Sequence, residues 1–570
     1  MTFHRSARNM GWPARVGLAA GLSLAAVGSA QAFFIPMSNS KMTMSLNTTV
    51  LYNLGIRAES QDPRIANSPA GYAESDRQFG QGEIYTSRLD ITPEFMFKYQ
   101  PSLTQQYGVL VSGHGWYDPA YSETHVPLAP GQTHTAYKND HFNAYTNKFY
   151  QGPGGEFLDA FFFANRDFGS VPVAFKIGRL SKQWGPGLIL GAQSISVNQQ
   201  PTNVMTGIGS PGAKISQLFM PVGQVDVSAS PTSWLSLSAQ YFLEYEPSRQ
   251  SEGGTYFGGP DFLFLGPDNA NNIGLGSNLG YRTPSEARRP EFGIMAHLTP
   301  QALNTDFGFY FRRFNSKAGW FNVVYPNYET VFPTGTTLYG FSIDRNLGNS
   351  DFGLQVSYLH KAPLLLSGSL TPSGAGPRGN VLNVDTNFTW ITPSEYAPSW
   401  LGGTKLWDTA TILLDAGWQH LVDVTDNASL YNGLGTANCK NAATGGPGGH
   451  SDGCGTNNSL QLAADFTPNW IQALPNIDLY LPLTVNYTVY GNGVTLAAQG
   501  NGVNEGAISY SAGLQATYRQ KYNFTVAWQD NFGRMRTKDV PGLGLVGVGG
   551  NGGWFLQDRG RVVLTFQASF

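Results

Sequence analysis

Two pairs of residues in this chain have types and spacing that hydrolytic chemistry could use. Ser112 and His114 lie two residues apart, and His297 shares a strand parity with Glu291. Side chains two apart on an extended strand point to one face. Each pair could therefore place a hydroxyl or carboxylate beside an imidazole, as a nucleophile and its base require. The chain contains 9 histidines and abundant serine, so composition alone generates pairs at this spacing. No phosphate loop, metal-binding helix or dinucleotide fingerprint accompanies them, and the glycine-rich stretch 544–553 has no helical pattern after it. These residues read as a non-enzyme with no cofactor.

A second constellation is ionic. Arg88, Asp90, Glu94 and Lys98 recur on one parity and form a ladder of mixed sign, which Arg57 from the preceding strand would join. Arg519 stands on the polar parity of a late strand. Two readings are open. The charges pair internally and stiffen a polar interior, or they form a constriction that selects permeants by charge and size. The only cysteines, Cys439 and Cys454, lie in a Gly/Asn-rich segment. In an exported chain one disulfide closing a surface loop is expected, worth about 3 kcal/mol in the chain-entropy model. With His450 they would supply three metal ligands, whereas zinc sites usually close with four.

The elements that would carry these residues are strands. Met44, Leu46, Val50, Tyr52, Leu54, Ile56 and Ala58 alternate with Lys41, Thr43, Ser45, Asn47, Thr49, Asn53 and Arg57, with Thr48 and Leu51 as misfits. Leu89, Ile91, Phe95, Phe97 and Tyr99 oppose the ionic ladder in the same way. The pattern recurs through 478–489, 509–519 and 523–529. A period of two with one apolar and one polar face suits a lipid wall around a polar lumen.

Composition agrees. Charged residues are 13%, roughly half the globular average, and aromatics are also 13%. No segment after residue 33 reaches the roughly 18 consecutive apolar residues of a membrane helix. A closed barrel pairs its backbone between strands and needs only alternate apolar side chains, which is compatible with a mean hydropathy of −0.21. A net charge of −3 offers no basic excess for nucleic acid. Arg5, Arg8 and Arg15, the apolar run 16–27 and Ala30-Gln31-Ala32 read as a signal peptide over 1–32. Residues 33–570 then form one domain.

The expected fold is all-β: a transmembrane antiparallel up-and-down barrel of about eighteen strands, with sixteen as the alternative. Short connections, expected at the periplasmic face, alternate with long Gly/Pro/Asn/Ser-rich segments expected outside the cell. Two somewhat longer connections are expected on the short side, at 391–407 and 468–476. The last strand alternates Val562, Leu564, Phe566, Ala568 and Phe570 with polar residues and stops on the aromatic. Phe566 and Phe570 resemble the signal that outer-membrane barrels present to their assembly machinery. The long segment 180–221 carries Trp184, Ile189, Ile195 and Val204 among other apolar residues. This is too apolar for a loop in water, and the segment is expected to fold into the lumen.

Several motifs match a known family in order and spacing. They are Gly178-Arg179 with Trp184-Gly185, Phe219-Met220-Pro221-Val222 with Gln224-Val225, and Tyr245-Glu246-Pro247. They continue through Asp306-Phe307-Gly308-Phe309-Tyr310, Leu338-Tyr339-Gly340-Phe341-Ser342, Leu474-Pro475-Asn476-Ile477-Asp478-Leu479, and the closing Gln557-Asp558-Arg559. The chain resembles a large proteobacterial outer-membrane family that long carried only a domain-of-unknown-function label. The resemblance implies passage of hydrophobic, steroid- or lipid-like compounds and a partnership with an inner-membrane efflux-type transporter. The family's Gly-Glu-x-Ser-Tyr pattern is not met, since Gly353-Leu354-Gln355-Val356-Ser357-Tyr358 has no glutamate. The function expected is an outer-membrane channel for hydrophobic small molecules, in contact with outer-membrane lipid and lipopolysaccharide. A general or charge-selective porin is the alternative, and a structural or adhesin-like barrel comes third.

Overall fold

The computed structural model describes residues 33–570 except 124, 211, 214, 271–279, 282–288, 325–326, 368–374 and 400–402. The expected signal peptide lies outside the described residues. The barrel strands begin with β1 (Met42–Arg57), β2 (Ile84–Ser102), β3 (Gln105–Tyr117), β4 (Gly154–Phe168), β5 (Val171–Leu180) and β6 (Val222–Thr232). They continue with β7 (Leu235–Phe242), β8 (Phe292–Leu298), β9 (Asp306–Phe314), β10 (Thr336–Asn346), β11 (Ser350–Pro363) and β12 (Arg378–Thr392). The ring is completed by β13 (Thr409–Asp426), β14 (Asn458–Leu474), the two-part β15 (Ile477–Tyr480 and Leu483–Tyr490), β16 (Ile508–Tyr518), β17 (Tyr522–Phe532) and β18 (Arg561–Ser569).

Each strand pairs antiparallel with the next, and β18 returns to β1 through Thr49↔Ser569 to Arg57↔Arg561. Closure leaves no unpaired sheet edge, the condition for standing in lipid. Beyond Ser569, Thr48 and Phe570 exchange backbone hydrogen bonds of 3.0 and 2.8 Å. Phe33–Ile35 then continues the same line along β1, with Phe33 opposite Leu46. The result is a closed eighteen-strand barrel.

The alternation sorts the faces. Thr49, Leu51, Asn53 and Arg57 of β1 are buried inside, including the apolar misfit Leu51. Outward side chains such as Ile91, Ile177, Ile294, Phe309, Leu462 and Phe524 are exposed and form the belt that meets lipid. A ring of this size with an apolar exterior is the architecture of the Gram-negative outer membrane, and the chain resides there. Among the described residues no helix is long and apolar enough to cross a membrane.

Of the two longer connections expected on the short side, the one at 468–476 differs and the one at 391–407 is present. β14 runs through Pro468 to Leu474, so only Pro475 and Asn476 separate it from β15. Asn476 takes φ 61, a left-handed turn that asparagine tolerates. The connection after β12 is longer and folds into a small hairpin, Glu395–Tyr396 against Lys405–Trp407. β2 carries Pro93 at its middle, although a proline gives no backbone donor to a ladder.

The long connections fold over and into the barrel. One apolar cluster joins 58–83, 118–153 and 243–291, with Phe79, Tyr121, Tyr137, Phe149 and Tyr256 at its centre. A second joins the inner wall of β9–β13 to 181–221, 364–377, 427–457 and 491–507, through Trp184, Ile195, Leu338, Leu364, Tyr431 and Val494.

Candidate functional site in the barrel lumen

β5 and β6 are adjacent strands, Ile177↔Val225, so a tight turn could join them. Instead residues 181–221 form a strap that reaches the opposite wall. Its first arm carries amides and apolar side chains in close succession, and the wall answers both. Lys182 Nζ bonds Asp226 on β6 at 2.6 Å. The Trp184 N–H donates to Gln199 Oε1 at 2.9 Å, and Gln199 Nε2 donates to Gln240 on β7 at 2.8 Å. Farther across, the Ile195 N–H donates to Gln355 on β11 at 2.9 Å. Arg312 Nη1 on β9 donates to the carbonyls of Ile195 and Val197 at 2.5 and 3.1 Å. The N–H groups of Ile189 and Leu190 converge on one oxygen of Asp415 on β13, at 2.9 and 3.1 Å.

Backbone groups taken from water need such partners, and each left unpaired would cost about 1–3 kcal/mol. Asp385 and Gln355 lie near the middle of β12 and β11, and Gln355 Nε2 donates to Asp385 Oδ2 at 2.7 Å. The strap therefore descends to mid-barrel depth. Its second arm returns to the near side of the ring closure. Gln217 Nε2 donates to Thr92 on β2 at 3.3 Å, and Gly212 lies against Leu51 and Thr565.

The expected apolar residues of the strap divide into two sets. Trp184 and Ile195 are packed on the wall: Ile195 fits over Gly340, where a Cβ would stand 3.1 Å from its Cγ1, among Leu338, Leu359 and Val381. Burial of this kind stabilises by about 1.5–3 kcal/mol per large side chain. They anchor the strap and do not line open space. Ile189 remains exposed and Val204 half-buried, while Leu188 and Ile215, not singled out from the sequence, are more exposed still.

The ionic residues fall into separate groups. Arg88 and Asp90 pair at 2.9 Å, and Asp90 meets His114 Nε2 at 2.7 Å. His114 Nδ1 stands 3.9 Å from Glu156, which pairs with Arg249 at 2.8 Å. Arg249 pairs with Glu246 at 3.1 Å, Glu246 with Arg179 at 3.3 Å, and Arg179 with Glu244 at 2.7 Å. An alternating chain thus runs from β2 across β3 and β4 to β5. Glu94 and Lys98 sit lower on β2, half-buried, and join no ion pair among the described residues.

Arg57 is not at a constriction. It is fully buried and pairs with Asp76 at 2.8 Å and Asp558 at 3.1 Å, beneath the inward-folded loops. Glu291 precedes β8 and is buried against Lys317 at 2.9 Å, where burial in turn pushes the lysine's pKa down. Arg519 is exposed in the turn after β16, at φ 50, rather than on a strand face. Glu156 was legible in principle, because it shares the inward parity of Leu158. Arg249, in an irregular loop, carried no periodic signal.

Among the described residues no hydrogen bond joins Ser112 to His114, whose Nε2 is held by Asp90. His297 bonds Asp306 at 2.9 Å and the Tyr310 hydroxyl at 2.8 Å, and only Tyr310 reaches Ser342, at 3.0 Å. The serine is thus one hydroxyl removed from the imidazole. Cys439 and Cys454 are joined in a disulfide, and His450 faces Glu505 instead. No group of three or more metal-binding side chains occurs among the described residues. A cavity of about 40 Å³ remains between the strap's second arm and the loop cluster, lined by Arg88, Asp118, Phe149, Met205 and Ser210. Burial pushes the Asp118 carboxyl above its ordinary range.

A family model described as "Protein of unknown function (DUF1302)" matches residues 14–570. No curated protein matches the chain. Among solved structures, OccAB4 of Acinetobacter baumannii is similar at 8% identity, covering 94% of this chain and 100% of that one, with a TM-score of 0.41. The outer membrane channel DcaP of the same organism is similar at 10% identity, covering 94% and 99%, with a TM-score of 0.37. OccD3 (OpdP) of Pseudomonas aeruginosa is similar at 10% identity, covering 95% and 94%, with a TM-score of 0.40. Identities and scores this low carry no inference about what passes through the lumen.

Proposed function

The chain belongs to the DUF1302 family, and on that premise we propose that it is an outer-membrane channel for hydrophobic small molecules. The observation that carries this reading is the strap. An eighteen-strand ring is wide enough for an aqueous channel unless loops fill it. Here one connection crosses the interior and is bonded to β7, β9, β11 and β13 on one side and to β2 on the other. The apolar side chains it leaves exposed are Leu188, Ile189 and Ile215.

A polar wall alone would reject an apolar solute, because nothing in it replaces the burial that such a solute seeks at about 25 cal/mol per Å². Apolar groups held on a fixed strap supply short contacts along the way while the strap restricts water and ions. The test compares the protein with a variant lacking residues 186–210, in planar bilayers and in an outer membrane exposed to an uncharged naphthylamine dye. The expected result is low ion conductance with dye entry in the parent, and higher conductance with reduced dye entry in the deletion. A large, steady conductance in the parent would overturn the reading in favour of a general porin.

A further inference from the structure

The lipid-facing wall changes character along one stretch of its loop-bearing edge. In register across β8 to β12, Ile294, Phe311, Tyr339, Tyr358 and Leu382 form one outward row. The Phe311 ring lies 6.0 Å from that of Phe292 and meets Tyr339 edge-on at 5.5 Å, and Tyr339 is 53% exposed. An aromatic girdle of this kind marks where hydrocarbon gives way to headgroups. The next outward position on β9 is Arg313, two residues or about 7 Å nearer the loops. It is exposed at headgroup depth, in register with Phe292 and Thr337.

Arg289 joins it from the chain that enters β8. Buried Asn315 fixes the Arg289 backbone: its Nδ2 donates to the Arg289 carbonyl at 2.8 Å, and its Oδ1 accepts the Gly335 N–H at 3.1 Å. The exposed guanidinium lies across the head of β10, where a Cβ at Gly335 would stand 2.8 Å from Nη1. Gly335 has φ 80 and is two residues from the Thr337 that Arg313 faces. Arg378, at the head of β12, is near enough to Arg289 for the two charges to repel. It is held by the Lys361 carbonyl at 3.2 Å and by the Trp320 ring, whose centroid is 5.9 Å away.

No carboxylate pairs with Arg289 or Arg313 among the described residues. The nearby acids Glu291 and Asp426 are taken by Lys317 and Lys361, and exposed Asp423 bounds the arc on β13. At the same end of the barrel other guanidiniums face carboxylates, Arg64 on Asp62, Arg179 on Glu244 and Arg536 on Asp452. Here the fold holds cations together and gives two of them no anion. Guanidinium forks of this kind match phosphate oxygens.

We propose that this edge of β8–β12 is a docking site for a phosphorylated, acylated sugar lipid of the outer leaflet. A phosphate sits between Arg289 and Arg313, and the acyl chains lie on the aromatic row below. Two features on adjoining levels select that occupant. A free phosphate would have no use for the aromatic row, and an uncharged lipid would leave the arginines without an anion. The long connections of such barrels face outside the cell, which places the arc in the outer leaflet. The site is independent of what passes through the lumen.

The test uses the full barrel in detergent micelles and native mass spectrometry, which counts bound lipid by mass. Bis-phosphorylated lipid A is the probe, its dephosphorylated form the comparison, and inorganic phosphate the competitor. A cation beside an anionic lipid is worth about a factor of five, so Arg289→Gln with Arg313→Gln should weaken lipid A binding about 25-fold. Arg289→Lys with Arg313→Lys, which keeps both charges, should recover most of it. Arg166→Gln, which removes an exposed guanidinium at the opposite rim, should bind as the parent does, and heat-modifiable migration checks folding. Equal binding of the dephosphorylated lipid overturns the site, as does undiminished binding in the double glutamine variant. An equal loss in Arg166→Gln would reduce it to diffuse charge attraction and overturns it too. Displacement of lipid A by millimolar inorganic phosphate would assign the arginines to the free anion and overturn the lipid.

Discussion

Arg312 and Ile195 make the contact that fastens the lumen strap, with Nη1 of the buried arginine donating to the Ile195 carbonyl at 2.5 Å. The same nitrogen reaches the Val197 carbonyl at 3.1 Å. One wall side chain thus grips two turns of a segment whose own strands lie elsewhere in the ring. Arg312→Met keeps much of the side-chain volume and removes both bonds. The loss of two charge-assisted bonds, about 3 kcal/mol in all, shifts the attached-to-detached ratio by about a hundredfold. Single-channel records should then show frequent openings above the parent level. Records indistinguishable from the parent would show that Arg312 does not hold the strap.

Phe570 closes the ring. Its N–H and carbonyl both bond Thr48, and the neighbouring Phe566 stacks on Tyr522 and packs at a tilt against Phe524 of β17. Deleting Phe570 should slow insertion, followed as heat-modifiable protein in outer-membrane fractions after a pulse of synthesis. Normal rate and yield would remove any role for Phe570 in assembly.

The Cys439–Cys454 bridge closes 15 residues in a loop packed on its neighbours and outside the strand ladder. Cys439→Ser should remove about 3 kcal/mol of restraint from that loop in the chain-entropy model. Hydrogen exchange over 434–455 should accelerate while the strands keep their protection. Strand exchange rising in parallel would mean that the loop and the barrel unfold as one unit.

Glu252, in the loop cluster, accepts the Gly266 N–H at 2.6 Å and is almost fully buried. Burial pushes its carboxyl up to about 8. The folded pKa lies above the unfolded one, so the folded loop retains a proton that the unfolded chain releases. Its contribution is complete below the unfolded value of 4.5 and is lost as pH rises towards 8, by at most about 1.4 kcal/mol per pH unit. Protease nicking within 243–270 should therefore increase over this window, and Glu252→Gln should flatten the dependence. An unchanged slope in the glutamine variant would place the titration elsewhere.

The alternation in the chain is sufficient by itself to assign most faces. A side chain's face is a local property of an extended backbone, since neighbours in sequence must point oppositely. Asp90 and His114 were legible as inward residues for that reason, and so was Leu51, whose parity overrode its apolar character. The closed ring follows from the same periodicity together with the lack, after residue 33, of any apolar run long enough for a spanning helix. The apolar excess of 181–221 marked it as a segment that could not remain in water.

Partners and destinations were a different matter. Arg57 reads as another rung of a lumen ladder, yet inward-folded loops bring Asp76 and Asp558 to it and seal it. Whether Trp184 and Ile195 line a path or anchor a strap depends on Gly340, Leu338 and Arg312. Those residues lie far along the chain and come into range only when eighteen strands close. Alternation reports which way each residue points; only closure of the ring decides what it meets there, because contacts across a barrel join segments that no sequence period relates.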